Sequence, residues 1–376
     1  MDNQIVKINA GDREYTLEFL RELGRGAFGS VHLAIDEHGE QVAVKKSTCI
    51  NNETYIAATQ EIQILVKLDH VNIAKLVAVD FHMNNALIVM EYCDGGDLNN
   101  RLNDPVSEDL KLQWIKELID SLRYLHRKKI IHRDLKPENV LLKNEVIKLT
   151  DFGISKFYYG QGSCPDNENN LSHFMGTFAG TPYWVAPEMF DQRYTDKADL
   201  FSLGVICYAI LHAESMVYDN KKYYGVFVPH TGGRLVGLGL AMSEQDKEIE
   251  PSKTYDDNLN LNDVVVRLLR KNPDARISLE DAKEFISVSP GDSREEDENE
   301  DAGASSLSSR DVNDDVDLES GNGDHGCEEN QVGGAVQQDA VQQDAGQVVV
   351  LQSLINFVVY LLNFVYGVFL RILGRR

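Results

Sequence analysis

The sequence predicts an α+β fold in two lobes, rich in strands at the front and in helices at the back, followed by an acidic linker and one apolar helix. Three observations carry that prediction. Short strand-like apolar runs dominate the early part of the chain, the i, i+3, i+4 spacing of amphipathic helices takes over later, and the composition changes abruptly after residue 288.

A chain of 376 residues, 43% apolar, can bury a core of roughly 250–300 residues and still carry appendages. Residues 1–18 read as a short polar lead-in, and the folded domain is expected over 19–288. Val31-His32-Leu33-Ala34-Ile35 and Gln41-Val42-Ala43-Val44-Lys45 flank Asp36-Glu37-His38-Gly39, which predicts a hairpin closed by a glycine-containing turn. Ile62, Leu65, Val66 and Leu68 lie on one helical face; Leu112, Ile115, Leu118, Ile119, Leu122 and Leu125 repeat that pattern over a longer helix.

Residues 290–345 hold 17 Asp/Glu against two Arg, with few apolar side chains and a direct repeat at 336–345. Such a stretch cannot bury enough surface to offset its ordering entropy, so 289–346 is expected to be a disordered acidic linker. Residues 347–370 carry no charge, and as a helix 348–370 would reach ~34 Å, against a hydrocarbon core of about 30 Å. A transmembrane helix is predicted there, ahead of a basic tail at 371–376. A core helix and an interfacial helix are the alternatives; the charged linker opposes the first, and the absence of Lys/Arg along the polar face opposes the second.

The whole chain has 60 acidic and 37 basic residues, a net charge of −23, which excludes nucleic-acid binding driven by phosphate contacts. Its five cysteines, Cys49, Cys93, Cys164, Cys207 and Cys327, form no C-x-x-C pair, so neither a disulfide framework nor a zinc site is expected. The opening residues lack the basic-then-apolar pattern of a secretory leader, and a reducing, cytosolic setting is expected for the domain.

The chemistry gathers around phosphate. Gly24-Arg25-Gly26-Ala27-Phe28-Gly29-Ser30-Val31 is a glycine-rich turn between two strand-like segments, where backbone amides can approach phosphate oxygens. A dinucleotide fold would follow such a turn with a helix; here a strand follows. Lys45 sits on a half-buried strand and needs anionic partners there, and Glu61 on the next helix is a candidate. His132-Arg133-Asp134-Leu135-Lys136-Pro137-Glu138-Asn139, followed by Asp151-Phe152-Gly153, supplies a base or orienting carboxylate, a cation and two hard oxygen ligands for Mg²⁺.

With these motifs in this order, the chain resembles the eukaryotic protein kinases of serine/threonine type over about 19–288. The resemblance implies ATP and Mg²⁺ as cofactors and protein Ser/Thr hydroxyls as acceptors. It implies that Gly24, Gly26, Gly29 and Val31 cover ATP, and that Lys45, paired with Glu61, holds its phosphates. Ala43 and Leu141 would sandwich adenine, with Met90 behind it, Glu91 to Cys93 as the hinge, and Asp97 facing the ribose. Asp134 would be the catalytic base, Lys136 would steady the transferred group, and Asn139 with Asp151 would hold the metal. Glu188 of Ala186-Pro187-Glu188 would pair with Arg276, and Asp199 would brace the catalytic loop. Lys136 and Gly180-Thr181-Pro182 are similar to Ser/Thr rather than Tyr enzymes. Met90-Glu91-Tyr92-Cys93 with Gly95-Gly96-Asp97-Leu98 is similar to IκB-kinase-like and autophagy-initiating kinases, and 194–201 to the Clik type.

The activation segment is longer than usual, with a polar insert near 160–170, and 223–240 is unusually rich in glycine. Thr177 is the candidate regulatory phosphosite, with Ser172 its rival, and Arg133 the cation to sense the phosphate. The alternative function is a membrane-anchored pseudokinase scaffold, but Lys45, Asp134 and Asp151 are all present. As partners the sequence predicts protein substrates, membrane lipid around the C-terminal helix, and a homodimer joined through Asn356 and Asn363 of that helix. The expected topology is single-pass with the domain in the cytosol, at the endoplasmic reticulum or the mitochondrial outer membrane.

Overall fold

The computed structural model describes residues 5–10, 13–26, 29–157, 183–191, 195–253 and 259–287. Its first lobe is an antiparallel sheet of β1 (Ile5–Ala10), β2 (Arg13–Gly26), β3 (Gly29–Ile35), β4 (Gln41–Thr48), β5 (Leu76–His82) and β6 (Asn85–Glu91), in the order β1-β2-β3-β4-β6-β5. One helix, α1 (Asn52–Leu65), packs beside it. The expected hairpin is β3–β4: Ile35 faces Gln41, Val31 faces Lys45, and the Asp36 carboxylate accepts from the amides of His38 and Glu40 in the turn. Gly39 closes that turn at φ +84°, a conformation side chains disfavour. Asn51 and Thr54 form a reciprocal cap that starts α1.

Residues 5–10 and 13–18 correct the expected lead-in. They form β1 and the first part of β2, and they bury Ile8 and Leu17 completely against Ala34, Val44 and Val89. The Asn9 amide also donates to Asp80 in β5, so β1 reaches across to the far edge of the sheet. The stretch looked polar because only Ile8 and Leu17 are fully buried there, with Val6, Tyr15 and Phe19 half-buried against the same cluster.

The second lobe is helical. It comprises α2 (Leu98–Arg101), α3 (Glu108–Arg127), the two-residue strand β7 (Ile130–Ile131), β8 (Val140–Lys143), β9 (Val146–Leu149), β10 (Lys156–Phe157), α4 (Lys197–His212), and further on α5 (Leu238–Gln245), α6 (Leu259–Leu268) and α7 (Leu279–Ser287). Between α4 and α5 stand two hairpins, β11 (Ser215–Tyr218) with β12 (Lys221–Tyr224) and β13 (Phe227–Pro229) with β14 (Leu235–Gly237). Ser107 caps α3, Glu108 and Asp109 open it, and His126 and Arg127 end it, all matching the helix dipole. Its buried face carries the predicted Ile115, Leu118, Ile119, Leu122 and Leu125, joined by Trp114.

Helix α4 is apolar on every side and is buried from Ala198 to Leu211, which makes it the axis of this lobe. A side chain at Gly204 would come within 3.0 Å of Leu268 and Leu269, so the glycine lets α6 approach closely. The expected linker, transmembrane helix and basic tail lie outside the described residues, as do Thr177, Ser172 and the insert of the activation segment. Among the described residues, no helix is long and apolar enough to cross a membrane.

Candidate active site

The site lies where the two lobes meet. Strand β2 ends and β3 begins at the glycine-rich turn, with Gly24 opposite Val31 and Gly26 opposite Gly29. The glycines differ in what they do. At Gly29, φ is +137° and a Cβ would sit 2.0 Å from the Lys46 carbonyl oxygen, so the backbone itself demands glycine. A Cβ on Gly24 or Gly26 would meet nothing within 4 Å, which leaves an open backbone surface. Beneath the turn is a cavity of about 240 Å³, bounded in part by Gly26, Gly29, Glu61 and Gly153.

Lys45 enters from β4, opposite Ile88, and is 6% exposed. Its Nζ lies 2.6 Å from Glu61 Oε1 and 2.9 Å from Asp151 Oδ1. Burial works against the ammonium, but the two carboxylates outweigh it and hold Lys45 charged above the ordinary lysine range. For Asp151 burial is likewise overcome, chiefly by Lys45, and its carboxyl is held down to about 2. One buried cation thus organises two acids from α1 and from the turn after β9. Asp151 adopts φ +62°, a strained value for a non-glycine residue and one that aims its carboxylate at Lys45.

Asp134 forms the second centre. Lys136 Nζ donates to its Oδ2 at 2.7 Å, and Asn139 Nδ2 donates to the same oxygen at 2.9 Å and to the Asp134 carbonyl at 2.8 Å. Lys136 is partly desolvated, yet Asp134 and then Asp151 raise its pKa. The two Asn139 bonds use its amide nitrogen, so its amide oxygen is the atom that could serve as a ligand. That oxygen and the Asp151 carboxylate are hard donors of the kind Mg²⁺ takes. No cluster of three or more His, Cys, Asp or Glu side chains suited to a metal occurs among the described residues. A site of two protein ligands fits an ion that keeps water and phosphate for its other positions.

At the hinge, Ala43 pairs with Met90 across β4 and β6, both buried, and Leu141 bridges to Asp97. The Glu91 side chain turns away from this cleft: it accepts from the Lys75 amide, from Lys143 and from Lys148, and ties β6 to the β8–β9 hairpin. The Glu91 amide also donates to the Lys75 carbonyl, so of this residue only the backbone carbonyl is left to the cleft. Cys93 is buried, and desolvation pushes its thiol up to about 12. Asp97 already has a structural task, since both carboxylate oxygens accept from Asn100 at the start of α2.

Asp199 of α4 accepts from the amides of His132 and Arg133 and from the His126 ring. Arg276 forks onto Glu188 at 2.6 and 2.7 Å. The sequence reading passed over two contacts. The His132 ring, fully buried, meets the Thr150 carbonyl at 3.0 Å and Phe152 at 5.0 Å between centroids, joining the segment that carries Asp134 to the turn that carries Asp151. Lys221 of β12 reaches Glu138, and no spacing in the sequence signals that pair.

A profile of the protein kinase domain matches residues 17–285. Human serine/threonine-protein kinase Nek11 is 32% identical over 280 residues, covering 71% of this chain and 39% of its own length. Probable serine/threonine-protein kinase nek1 of Dictyostelium discoideum is 28% identical over 310 residues, covering 76% of this chain and 58% of its own length. Calcium-dependent protein kinase 6 of Plasmodium berghei is 35% identical over 212 residues, or 55% of this chain and 14% of its own. The chain thus spans about two fifths of the length of Nek11. These three relatives bear Nek and calcium-dependent names, and the finer likeness to IκB-kinase-like or Clik-type kinases has no counterpart among them.

Proposed function

Because the chain belongs to the protein kinase domain family, we propose that it is an ATP- and Mg²⁺-dependent serine/threonine protein kinase, and that residues 347–370 tether it to a membrane. The observation that carries the catalytic reading is the single buried Lys45 held between Glu61 and Asp151, alongside the Asp134–Lys136–Asn139 cluster. A scaffold without catalysis would have no use for a desolvated cation held between two carboxyl groups, which are costly to bury.

Each residue then has a task. The open backbone at Gly24 and Gly26 covers the nucleotide phosphates, and Lys45 Nζ offers its charge to them. Ala43, Val31 and Leu141 close on the base, and the hinge backbone of Glu91 and Cys93 hydrogen-bonds it. Asp97 supports the ribose end while it caps α2. Asn139 and Asp151 hold the metal, which when bound neutralises charge on the phosphates. Asp134 accepts the proton of the substrate hydroxyl and orients it, while Lys136 balances the negative charge beside it. Lys136 and the names of the relatives favour Ser and Thr as acceptors.

Regulation and placement extend the proposal. Phosphate on Thr177 would add about −1.5 to −2 charge and order the segment through Arg133. A span over 347–370 would leave the domain in the cytosol, where it has ATP. Asn356 and Asn363 bias neighbouring helices toward a dimer.

Radiolabelled phosphate transfer to a mixed Ser/Thr peptide library tests the activity, and no transfer by pure protein overturns it. Thr177→Ala should lower activity; loss with Ser172→Ala instead would move the switch. Carbonate extraction with protease protection tests the tether, and organelle fractionation separates endoplasmic reticulum from mitochondrial outer membrane. Release by carbonate would demote the helix to an interfacial one.

A further inference from the structure

The β11–β12 hairpin fills a place that the sequence marked only as a departure. Its turn is Asp219-Asn220, both at positive φ (49° and 58°), the pairing that suits a two-residue hairpin loop. Buried contacts, not surface charge, fix its position. Asn99 of α2, 2% exposed, donates to the Lys222 carbonyl and accepts from the Tyr224 amide. The Tyr224 hydroxyl donates to Asn103 at 3.0 Å and accepts from Lys222 Nζ at 2.6 Å. The Tyr223 ring lies 5.3 Å from Tyr183, in the chain just ahead of Ala186-Pro187-Glu188. The hairpin is therefore anchored on two sides before Lys221 is considered.

Lys221 projects from this anchored strand to Glu138, with Nζ 3.0 Å from Oε1. Glu138 lies in the 3-10 turn Pro137–Asn139, between Lys136 and Asn139, which both bind Asp134. Its carboxylate thus borders the place where an acceptor peptide must present its hydroxyl. Glu138 Oε2 is buried without a hydrogen-bond partner among the described residues, so this carboxylate has unused capacity. Lys221 is half-exposed and has three N–H donors, only one of which goes to Glu138.

We propose that Lys221 is a specificity-determining residue: it occupies Glu138, denies that carboxylate to basic side chains of the peptide, and offers its own charge to acidic ones. This rests on the kinase reading above. Discrimination needs a repulsive element as well as an attractive one, and a lysine preset on a rigid hairpin supplies both. Without Lys221, an arginine of the peptide could take Glu138 Oε1, the oxygen the lysine now holds, in a charge-assisted hydrogen bond.

The test is phosphorylation of a Ser/Thr peptide library with each position near the acceptor set to Arg, Ala or Glu, by the full chain and by K221A, K221E and K221A/E138Q. The readout is the ratio between peptides within one preparation, so a loss of active protein cancels. Wild type should favour Glu over Arg at one position. K221A should raise the Arg-to-Ala ratio there by about three- to tenfold and K221E by more, with the effect shrinking at high salt. K221A/E138Q should lose the gain, which separates occupation of Glu138 from a general change in surface charge. Transfer by wild type with an unchanged profile in K221A and K221E overturns this inference alone. No transfer by wild type overturns the kinase reading and the inference with it.

Discussion

Asp199 holds Arg133 by its main chain, not by its charge: the Asp199 Oδ1 accepts from the Arg133 amide at 2.9 Å while Arg133 sits at φ +72°. A left-handed arginine is strained, and the strain falls at the residue before Asp134. The other carboxylate oxygen accepts from the His132 amide at 2.8 Å, so α4 fixes the backbone that leads into Asp134.

Asp199→Asn places an amide N–H against a backbone N–H, because one side-chain oxygen cannot serve both amides. The expected loss is about 2–4 kcal/mol, read by urea unfolding. Burial opposes the Asp199 charge, but His126 and the amides overcome it, and its pKa is lowered. A lowered carboxyl contributes stability above its unfolded pKa of about 3.9 and loses it as pH falls through the folded value. The gap between wild type and Asp199→Asn should therefore be flat from pH 7 to about 5 and close below about 4. A gap that opens on acidification would contradict the assignment.

Asp134→Ala and Asp151→Ala should both abolish transfer by different routes. Calorimetry should find Mg²⁺-dependent ATP binding retained in Asp134→Ala and lost in Asp151→Ala, since of the two only Asp151 is both a proposed metal ligand and a partner of Lys45. Equal binding by the two variants would undo the separation of roles.

Arg276 is fully buried, forks onto Glu188, and donates to the carbonyls of Lys197, Arg270 and Lys271. Arg276→Ala leaves Glu188 and three carbonyls without their cation, a loss of about 3–5 kcal/mol in thermal or denaturant unfolding. Arg276→Lys should recover little of it, because an ammonium cannot span five acceptors in one plane.

Ile8→Ala should cost about 2–4 kcal/mol, the ordinary range for truncating a buried isoleucine. Ile5→Ala on the same strand should be nearly neutral, because Ile5 is 64% exposed. Equal stability of both variants in urea would mean that β1 does not pack as described.

Cys93 should resist iodoacetamide at pH 7.5, since alkylation needs the thiolate and this thiol is buried with its pKa pushed up to about 12. Labelling followed by mass spectrometry should find modification at Cys93 only on unfolding. Ready modification of the folded protein would mean that the hinge opens.

The residues proposed to carry the chemistry at Asp134 could be brought together from the sequence because they are clustered along it. Asp134, Lys136 and Asn139 lie within six positions, so one local turn is enough to bring them together. The β3–β4 hairpin and α3 were legible for the same reason, as period and turn residues are local signals. Lys45, Glu61 and Asp151 were nameable as candidates from the sequence, but only the tertiary structure brings the two acids onto one buried cation, across separations of 16 and 106 residues. Strand β1 escaped because it has one fully buried side chain, Ile8, helped by half-buried Val6, and both meet a sheet face made by β3, β4 and β6. The Lys221–Glu138 pair spans 83 residues and depends on where Asn99 and Tyr183 anchor the hairpin. Periodicity and spacing report what neighbours along the chain can do together, and long-range packing decided which distant charges share one site.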